Sequence, residues 1–260
     1  MTVLLALVVV LNLVLLVVVL GMLWRIRQRL IRLRENQRTE WPRSLWPQFE
    51  ALIKLYRLLD GKADLPNLRH WAVSPDFLLH VVRHVQDHAP KRIVECSCGS
   101  STVAMAQAMR AFGIEGHIYS LENYQPSIDA VRSQLRRHDL ERYVTLIFAP
   151  LVTKRYEGVP HAFQWYDLKP GMIPGEIDLL LVDGPAAVDH PYARYPAGPE
   201  LLPKLSSAAH IFIDDADRLG ELDMIERWRA HDPSIGIRKL PAEKGCVELF
   251  FRDAKRKLAA

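Results

Sequence analysis

The chain carries the run Arg92-Ile93-Val94-Glu95-Cys96-Ser97-Cys98-Gly99-Ser100-Ser101-Thr102, in which an apolar strand ends in a turn of small residues that opens directly into a helix. At the carboxyl end of a parallel strand, the backbone N–H groups of such a turn are free, and a ligand approaches them closely only where side chains are small. The run therefore predicts a nucleotide pocket at its turn, with Glu95 closing the strand.

A second carboxylate lies at the tip of the next predicted strand, in Ile118-Tyr119-Ser120-Leu121-Glu122. A carboxylate at this position of a nucleotide-binding sheet accepts hydrogen bonds from the two hydroxyls of a ribose. Together the two features indicate an adenosine-containing cofactor.

Strand and helix patterns alternate along the rest of the chain, which predicts a Rossmann-like, mostly parallel α/β sheet with helices on both faces. The last two strand patterns are joined by the short turn 241–245, so the last strand is expected to be antiparallel. Residues 153–176 are predicted to be an irregular insertion. We place seven strands near residues 92–96, 117–121, 143–148, 177–182, 208–213, 235–240 and 246–251, and helices near 101–112, 126–138, 192–204 and 220–231.

The first residues are strongly apolar. From Val3 to Trp24 the run is interrupted only by Asn12 and Gly21, and about 20 such residues at a 1.5 Å rise cross the roughly 30 Å hydrocarbon layer. The run continues into Arg25 without the cleavage site of a signal peptide. We therefore expect one uncleaved transmembrane helix over residues 1–24.

Positive charge follows the apolar run at once, since residues 25–38 contain six arginines and one acid, Glu35. By the positive-inside rule, we expect a single-pass protein of the cell inner membrane with its bulk in the cytoplasm. The formal charge of +4 is concentrated here and at Lys255-Arg256-Lys257. Lipid explains the first cluster, and no nucleic-acid-binding motif is present, so the bilayer is the expected partner and nucleic acid is not. The oligomeric state is left open.

The chain past the anchor divides into two predicted parts. Residues 25–65 carry the basic run and a helical apolar period, which predicts a juxtamembrane stalk and an amphipathic helix on either the domain or the membrane surface. Residues 66–260 have the length of one α/β domain.

Further motifs are spread over residues 71–218, and several of them lie at the predicted strand ends. In chain order they are Trp71-Ala72-Val73-Ser74-Pro75-Asp76, Val94-Glu95, Ser120-Leu121-Glu122, Ala149-Pro150-Leu151, Trp165-Tyr166-Asp167, Asp178-Leu179-Leu180-Leu181-Val182-Asp183-Gly184-Pro185, Ala193-Arg194-Tyr195-Pro196-Ala197 and Ile213-Asp214-Asp215-Ala216-Asp217-Arg218. Their order and spacing resemble the class I S-adenosylmethionine-dependent methyltransferases, and especially a bacterial membrane-anchored subgroup similar to the methyltransferase-24-like family.

This resemblance implies S-adenosyl-L-methionine as the cofactor and a small-molecule or glycan acceptor as the partner. The implied cofactor contacts are Glu95 and the turn through Ser97, Gly99 and Ser100 for the methionine part, Glu122 for the ribose, Asn123 and the loop at Ala149 and Pro150 for the adenine, and Asp183 for the methyl end. The chain departs from the family pattern Glu-x-Gly-x-Gly at Ser97, where a positive φ would cost a non-glycine residue on the order of 1 kcal/mol.

Methyl transfer needs an aligned acceptor and a group that removes its proton. The candidate bases are Asp183, His190 and Asp215, and Tyr166 and Arg194 are the expected substrate contacts. Asp183, His190 and Asp215 follow predicted strands, and the loops after the strands of an α/β sheet are where ligands bind.

Three carboxylates, those of Asp183, Asp214 and Asp215, are expected near one another. Carboxylate oxygens suit Mg²⁺, so a divalent metal is an alternative, although Arg194 and Arg218 could neutralise the charges instead. The Cys96 and Cys98 pair alone is a weak metal signal. We predict no metal site.

Three functions remain open from the sequence. The first is a membrane-anchored S-adenosylmethionine-dependent methyltransferase that methylates a hydroxyl of a glycan, a lipid-linked molecule or another small acceptor. The second is a non-catalytic, methyltransferase-like membrane assembly module, suggested by the departure from the family pattern at Ser97 and Cys98. The third, a nucleotide-sugar or dinucleotide enzyme, is disfavoured because the first turn lacks G-x-G-x-x-G.

Overall fold

The structure is a computed structural model, and it describes residues 12, 15, 16, 18–28, 45–59, 64–157, 159–186 and 192–252. The chain divides into two compact units, Met1–Pro47 and Gln48–Ala260. In the first unit, residues 18–28 are helical, and most of the predicted membrane anchor lies outside the described residues. Within the described part of the chain, no helix has the length and apolar character needed to cross a membrane.

The second unit is built on a seven-stranded sheet with the order β3-β2-β1-β6-β7-β9-β8. The first five strands of this order are parallel, and β9 runs antiparallel to both β7 and β8. The predicted Rossmann-like sheet with an antiparallel last strand is therefore confirmed. Its strands are β1 (Arg92–Cys96), β2 (His117–Glu122), β3 (Val144–Phe148), β6 (Ile177–Val182), β7 (Leu205–Asp214), β8 (Ile235–Leu240) and β9 (Cys246–Phe251).

The parallel strands are apolar on both faces because helices cover both faces. One buried cluster joins α2 and α3 to the sheet, and a second cluster joins α6 and the segment before β7 to the other face. The described helices of this unit are α1 (48–58), α2 (Pro75–His88), α3 (Ser100–Phe112), α4 (Gln125–Arg137), α5 (Ala197–Leu201) and α6 (Leu219–His231). The helical stretch that contains α1 begins at residue 45.

Helix α1 packs on the domain through one face. Ala51, Leu55 and Leu59 are buried in the cluster that contains α2, whereas Phe49 and Ile53 are 61% and 55% exposed. The amphipathic helix predicted for this region is present, and it leaves an apolar pair outside the core.

Two segments differ from the sequence-based prediction. The insertion 153–176, predicted to be irregular, contains much of an antiparallel hairpin of β4 (Leu151–Arg155) and β5 (Ala162–Tyr166). The helix predicted over 192–204 is reduced to α5 and a following 3-10 turn, Leu202–Lys204. Proline at 196 and 203 explains the short helix, since proline interrupts the i→i−4 hydrogen bonds of a longer one.

Candidate active site

A cavity of about 560 Å³ lies where the loops after β1, β2, β6 and β7 meet. This is the carboxyl edge of the parallel strands, the usual place for a ligand in an open α/β sheet. The cavity is lined by His70, Trp71, Ala72, Ser97, Cys98, Gly99, Glu122, Asn123, Tyr124, Ser127, Asp183, Ala186, Arg194, Asp215, Arg218 and Lys244. The predicted residues Ser97, Gly99, Glu122, Asn123, Asp183, Arg194 and Asp215 are thus brought together.

The Glu122 carboxylate is 4% exposed and is held by protein donors on both oxygens. Its Oε1 accepts the backbone N–H groups of Asn123 and Tyr124 at 2.8 and 2.9 Å. Its Oε2 accepts the N–H of Cys98 and the hydroxyl of Ser97, each at 3.1 Å. These four donors fix the position of the carboxylate in the wall of the cavity.

The turn after β1 is tight at Ser97, whose φ is +82°. The positive φ that strains a non-glycine residue is therefore present here, on a residue that has a Cβ. A Cβ built on Gly184 would lie 2.5 Å from the Cβ of Ser97 and 2.8 Å from the hydroxyl of Tyr166. Only glycine fits at 184, because this loop packs directly against the first-strand turn.

Glu95 lies beneath the turn and is fully buried. Its carboxylate accepts hydrogen bonds from the hydroxyls of Ser101, Thr102 and Ser120, the last at 2.8 Å. Burial raises the pKa of Glu95 to about 7 against the opposing effect of these hydroxyls. The structure therefore places Glu95 under the start of α3, outside the residues that line the cavity.

Arg194 is the centre of a buried charge cluster and is 4% exposed. Its Nη2 lies 3.1 Å from Asp183 Oδ1 and 2.8 Å from Asp215 Oδ2, and its Nη1 lies 3.7 Å from Glu221 Oε1. Nη1 also donates to the backbone carbonyl of Asp214 at 2.9 Å. The guanidinium thus joins the loops after β6 and β7 to α6.

Two further cations complete the cluster. Lys244 Nζ lies 3.0 Å from Asp214 Oδ2 and 3.5 Å from Asp215 Oδ1, and Arg218 Nη1 lies 3.0 Å from Asp215 Oδ2. Lys244 was not predicted as a site residue. The signal was available, because the turn 241–245 follows β8, which runs parallel to β7 and so ends at the same edge of the sheet.

The cluster contains four carboxyl groups, those of Asp183, Asp214, Asp215 and Glu221, and three cations. One proton therefore neutralises it. Burial raises the pKa of Asp183 to about 8, and Arg194 opposes that shift. Asp183 lines the cavity and is the carboxyl group placed to hold or release this proton.

The carboxylates of Asp183, Asp214 and Asp215 offer oxygen atoms that all lie within 4.8 Å of one another. Arg194 and Lys244 already contact these oxygens. Two cationic side chains among the ligand oxygens disfavour a bound divalent ion through charge repulsion.

None of the remaining predicted residues that the structure describes lines this cavity. Ser100 lines a neighbouring pocket of about 500 Å³ that shares Cys98 and Gly99 with the first. Ala149 is buried and donates its N–H to the Glu122 carbonyl, and Pro150 follows it. The remaining two are Tyr166, which is fully buried below Gly184, and His190, which lies outside the described residues.

With this geometry established, comparison with known proteins identifies the chemistry. Residues 94–216 match the family model described as a methyltransferase domain. The chain carries a methyltransferase domain. The predicted class I S-adenosylmethionine-dependent methyltransferase is confirmed at this level, and no curated protein sequence was found to match the chain.

Three solved structures are similar to this chain at low sequence identity, and the first of them shows the same fold. Methyltransferase PaMTH1 of Podospora anserina, solved with SAH, is 19% identical, with 78% of this chain and 88% of that chain covered and a TM-score of 0.50. An O-methyltransferase of Bacillus cereus in complex with SAH is 18% identical, with 77% and 90% covered and a TM-score of 0.48. TomG of Streptomyces achromogenes, an O-methyltransferase in complex with SAM, is 17% identical, with 78% and 90% covered and a TM-score of 0.47.

Proposed function

We propose that this protein is a membrane-anchored O-methyltransferase that uses S-adenosyl-L-methionine. The observation that carries the proposal is that one cavity is lined by both Glu122 and Asp183. The Glu122 carboxylate is held in a fixed position, and Asp183 belongs to the cluster that holds a proton. A cavity of about 560 Å³ has the volume of a typical small-molecule site. The solved methyltransferases that share the fold include proteins with SAM or SAH bound.

The residues present fit the cofactor. Glu122 supplies the carboxylate that ribose hydroxyls require, and the turn at Ser97 and Gly99 supplies close backbone for the methionine part. Asn123 and the neighbouring Ala149–Pro150 loop are the adenine contacts. When bound, S-adenosylmethionine supplies a methyl group on a sulfonium leaving group.

The protein's own part in the reaction is to hold the acceptor and accept its proton. Asp183 lines the cavity beside Arg194, and burial keeps its pKa in the range where a carboxylate is an effective base near neutral pH. Arg194 fixes the orientation of Asp183 and of Asp215, the second candidate base. Trp71 and Tyr124 are 86% and 61% exposed at the cavity lining and offer an apolar rim to an acceptor.

We propose a hydroxyl of a glycan, of a lipid-linked molecule or of another small metabolite as the acceptor. The apolar N-terminal run and the arginines that follow it support an anchor at the inner membrane with the domain in the cytoplasm. The exposed apolar side chains of Phe49 and Ile53 on α1 favour contact with a lipid surface. An acceptor embedded in the same membrane would meet the cavity without diffusion through the cytosol.

Cofactor binding is tested by calorimetry on the full chain in detergent. Glu122→Gln should weaken S-adenosylmethionine binding roughly tenfold to a hundredfold, because a charge-assisted hydrogen bond contributes about 1.5–3 kcal/mol. Glu115→Gln, at an exposed loop carboxylate, is the matched control and should bind normally. A folded wild-type chain that fails to bind at millimolar cofactor would replace the enzyme with the non-catalytic assembly module.

Catalysis is tested with radiolabelled S-adenosylmethionine and a membrane extract. The wild type should label a hydroxyl-bearing product, and Asp183→Asn should lower the rate by about 10² or more. Asp223→Asn, which removes an exposed carboxylate of α6, should keep the wild-type rate. Near-normal labelling by Asp183→Asn would transfer the role of base to Asp215 or His190.

The anchor is tested by cell fractionation and by a reporter fused after Ala260. We expect the full chain in the inner-membrane fraction and a reporter active in the cytoplasm. A reporter active only outside the cytoplasm would reverse the orientation.

A further inference from the structure

A second cluster of ligand-type side chains lies away from the cavity, between α2 and β7. His84 and His88 are one turn apart near the end of α2, and His210 lies on β7. One ring nitrogen from each of the three lies within 4.8 Å of the others. His210 precedes Asp214 by four residues, so the histidine cluster is about 13 Å along the strand from the carboxylates of the active site.

We propose that His84, His88 and His210 form a binding site for a divalent transition-metal ion, with Zn²⁺ as the best match. Zinc takes imidazole nitrogens at about 2.0–2.1 Å in a tetrahedral arrangement, and three histidines leave its fourth position for water. The three rings are already within reach, since the centroids of His84 and His88 are 4.1 Å apart and those of His84 and His210 are 4.5 Å apart.

The hydrogen bonds of the rings leave suitable atoms for a metal. His210 Nδ1 lies 2.7 Å from Glu248 Oε1, and His88 Nδ1 lies 3.3 Å from the carbonyl oxygen of His84. Both contacts engage Nδ1, so Nε2 of each ring is the available ligand. Metal-binding histidines usually donate their other ring N–H to a carboxylate or a backbone carbonyl, and this cluster has one of each.

The supporting carboxylate is itself held in place. Glu248 is 4% exposed, and its Oε2 accepts a hydrogen bond of 2.9 Å from Arg238. A histidine supported in this way has a fixed orientation and a more basic ligand nitrogen. Glu248 therefore connects His210 on β7 to Arg238 on β8, the strand at the edge of the sheet.

The exposure of the three rings also suits a metal. His84 is buried, His210 is partly exposed and His88 is exposed, so the cluster has a dry side and an open side. A bound ion would tie the end of α2 to the sheet and stabilise the domain.

The experiment measures Zn²⁺ binding by the untagged full chain, purified in detergent and stripped with a chelator. We expect one zinc per chain by elemental analysis, and a visible absorption band for Co²⁺ bound in its place. Glu248→Gln, which changes the hydrogen-bond partner of a ligand, should weaken zinc binding roughly 10- to 100-fold. His88→Ala, which removes a ligand itself, should weaken zinc binding by more than that. His231→Ala, at the exposed end of α6, should bind as the wild type does.

Thermal unfolding gives a second readout that does not depend on catalysis. Zn²⁺ should raise the unfolding temperature of the wild type and of His231→Ala, and should leave that of His88→Ala unchanged, because a ligand of the native state stabilises it by mass action. His88 is the preferred variant because its exposed position spares the core. Wild-type zinc affinity in His88→Ala would overturn the proposal, as would zinc binding that is lost in Asp214→Asn and retained in the histidine variants.

Discussion

The hydroxyl of Ser97 donates to Glu122 Oε2 at 3.1 Å, on the same oxygen that accepts the Cys98 N–H. Ser97 achieves this contact with a φ of +82°. A left-handed backbone costs a residue with a Cβ about 1–2 kcal/mol, so the turn carries strain that glycine would remove. The serine hydroxyl also occupies an acceptor site that the proposed ribose would use.

Two substitutions at Ser97 separate strain from competition. Ser97→Ala keeps the Cβ and loses the hydroxyl, whereas Ser97→Gly loses both. Ser97→Gly should therefore be the more stable of the two in urea, by up to about 1 kcal/mol after the greater freedom of glycine in the unfolded chain is deducted. Both should bind S-adenosylhomocysteine roughly twofold to tenfold more tightly than the wild type, since one competing hydrogen bond is gone. Weaker binding by both variants would mean that the serine hydroxyl contacts the cofactor directly.

The proton on the Asp183 cluster should link cofactor binding to pH. S-adenosylmethionine carries a positive charge that S-adenosylhomocysteine lacks, and a cation binds better beside an ionised carboxylate. Because the pKa of Asp183 is about 8, the affinity for S-adenosylmethionine should rise as pH increases from 6 toward 8, and the affinity for S-adenosylhomocysteine should change less. Calorimetry across this range measures both. In Asp183→Asn, the pH dependence of affinity should differ less between the two ligands than it does in the wild type. If it differs as much as in the wild type, the proton belongs to another group.

Arg194 should be essential to the folded state. Arg194→Met leaves Asp183, Asp215 and Glu221 without their shared buried partner, which costs about 3–5 kcal/mol for a broken buried ion pair. The loss should be larger at pH 8 than at pH 5, because unpaired buried carboxyls can take up protons in acid. Urea unfolding at both pH values measures the effect. Arg194→Lys keeps the charge and loses the planar fork, so its stability should lie between those of the wild type and Arg194→Met. An Arg194→Met variant as stable as Arg194→Lys would contradict the argument.

The sheet was predictable because its parallel strands are short apolar runs separated by helical periods, such as Asp178–Val182. The hairpin of β4 and β5 was not, because glycine and proline on either side of it give the composition of a loop, and its first strand is half exposed. Pairing of two such strands is a tertiary event that local composition does not encode.

The carboxylates of the site could be predicted because they lie where strands end. Cationic side chains that contact them, such as Lys244, could not be predicted in this way. Lys244 reaches Asp214 from a turn at 241–245, and sequence patterns do not report which side chains meet across a sheet edge. The histidine cluster shows the same limit. His84 and His88 have the spacing of one helical turn, but His210 lies more than 100 residues away along the chain.

Glu95 should make the stability of the domain depend on pH. Its pKa is about 7 in the folded protein, against an ordinary value of 4.5, so the folded state favours the protonated carboxyl. The resulting stabilisation is fully present below the unfolded pKa and is lost as pH rises through about 7, an effect on the order of 3 kcal/mol.

Glu95→Gln isolates this contribution, because glutamine keeps the size of the side chain and stays neutral at every pH. Urea unfolding of both proteins between pH 4 and pH 8 should show the wild type losing stability relative to the variant as pH rises. Other groups, Asp183 among them, titrate in both proteins and cancel in the difference. Parallel stability curves would mean that the hydroxyls of Ser101, Thr102 and Ser120 hold Glu95 ionised throughout, and that its burial is fully offset by hydrogen bonds.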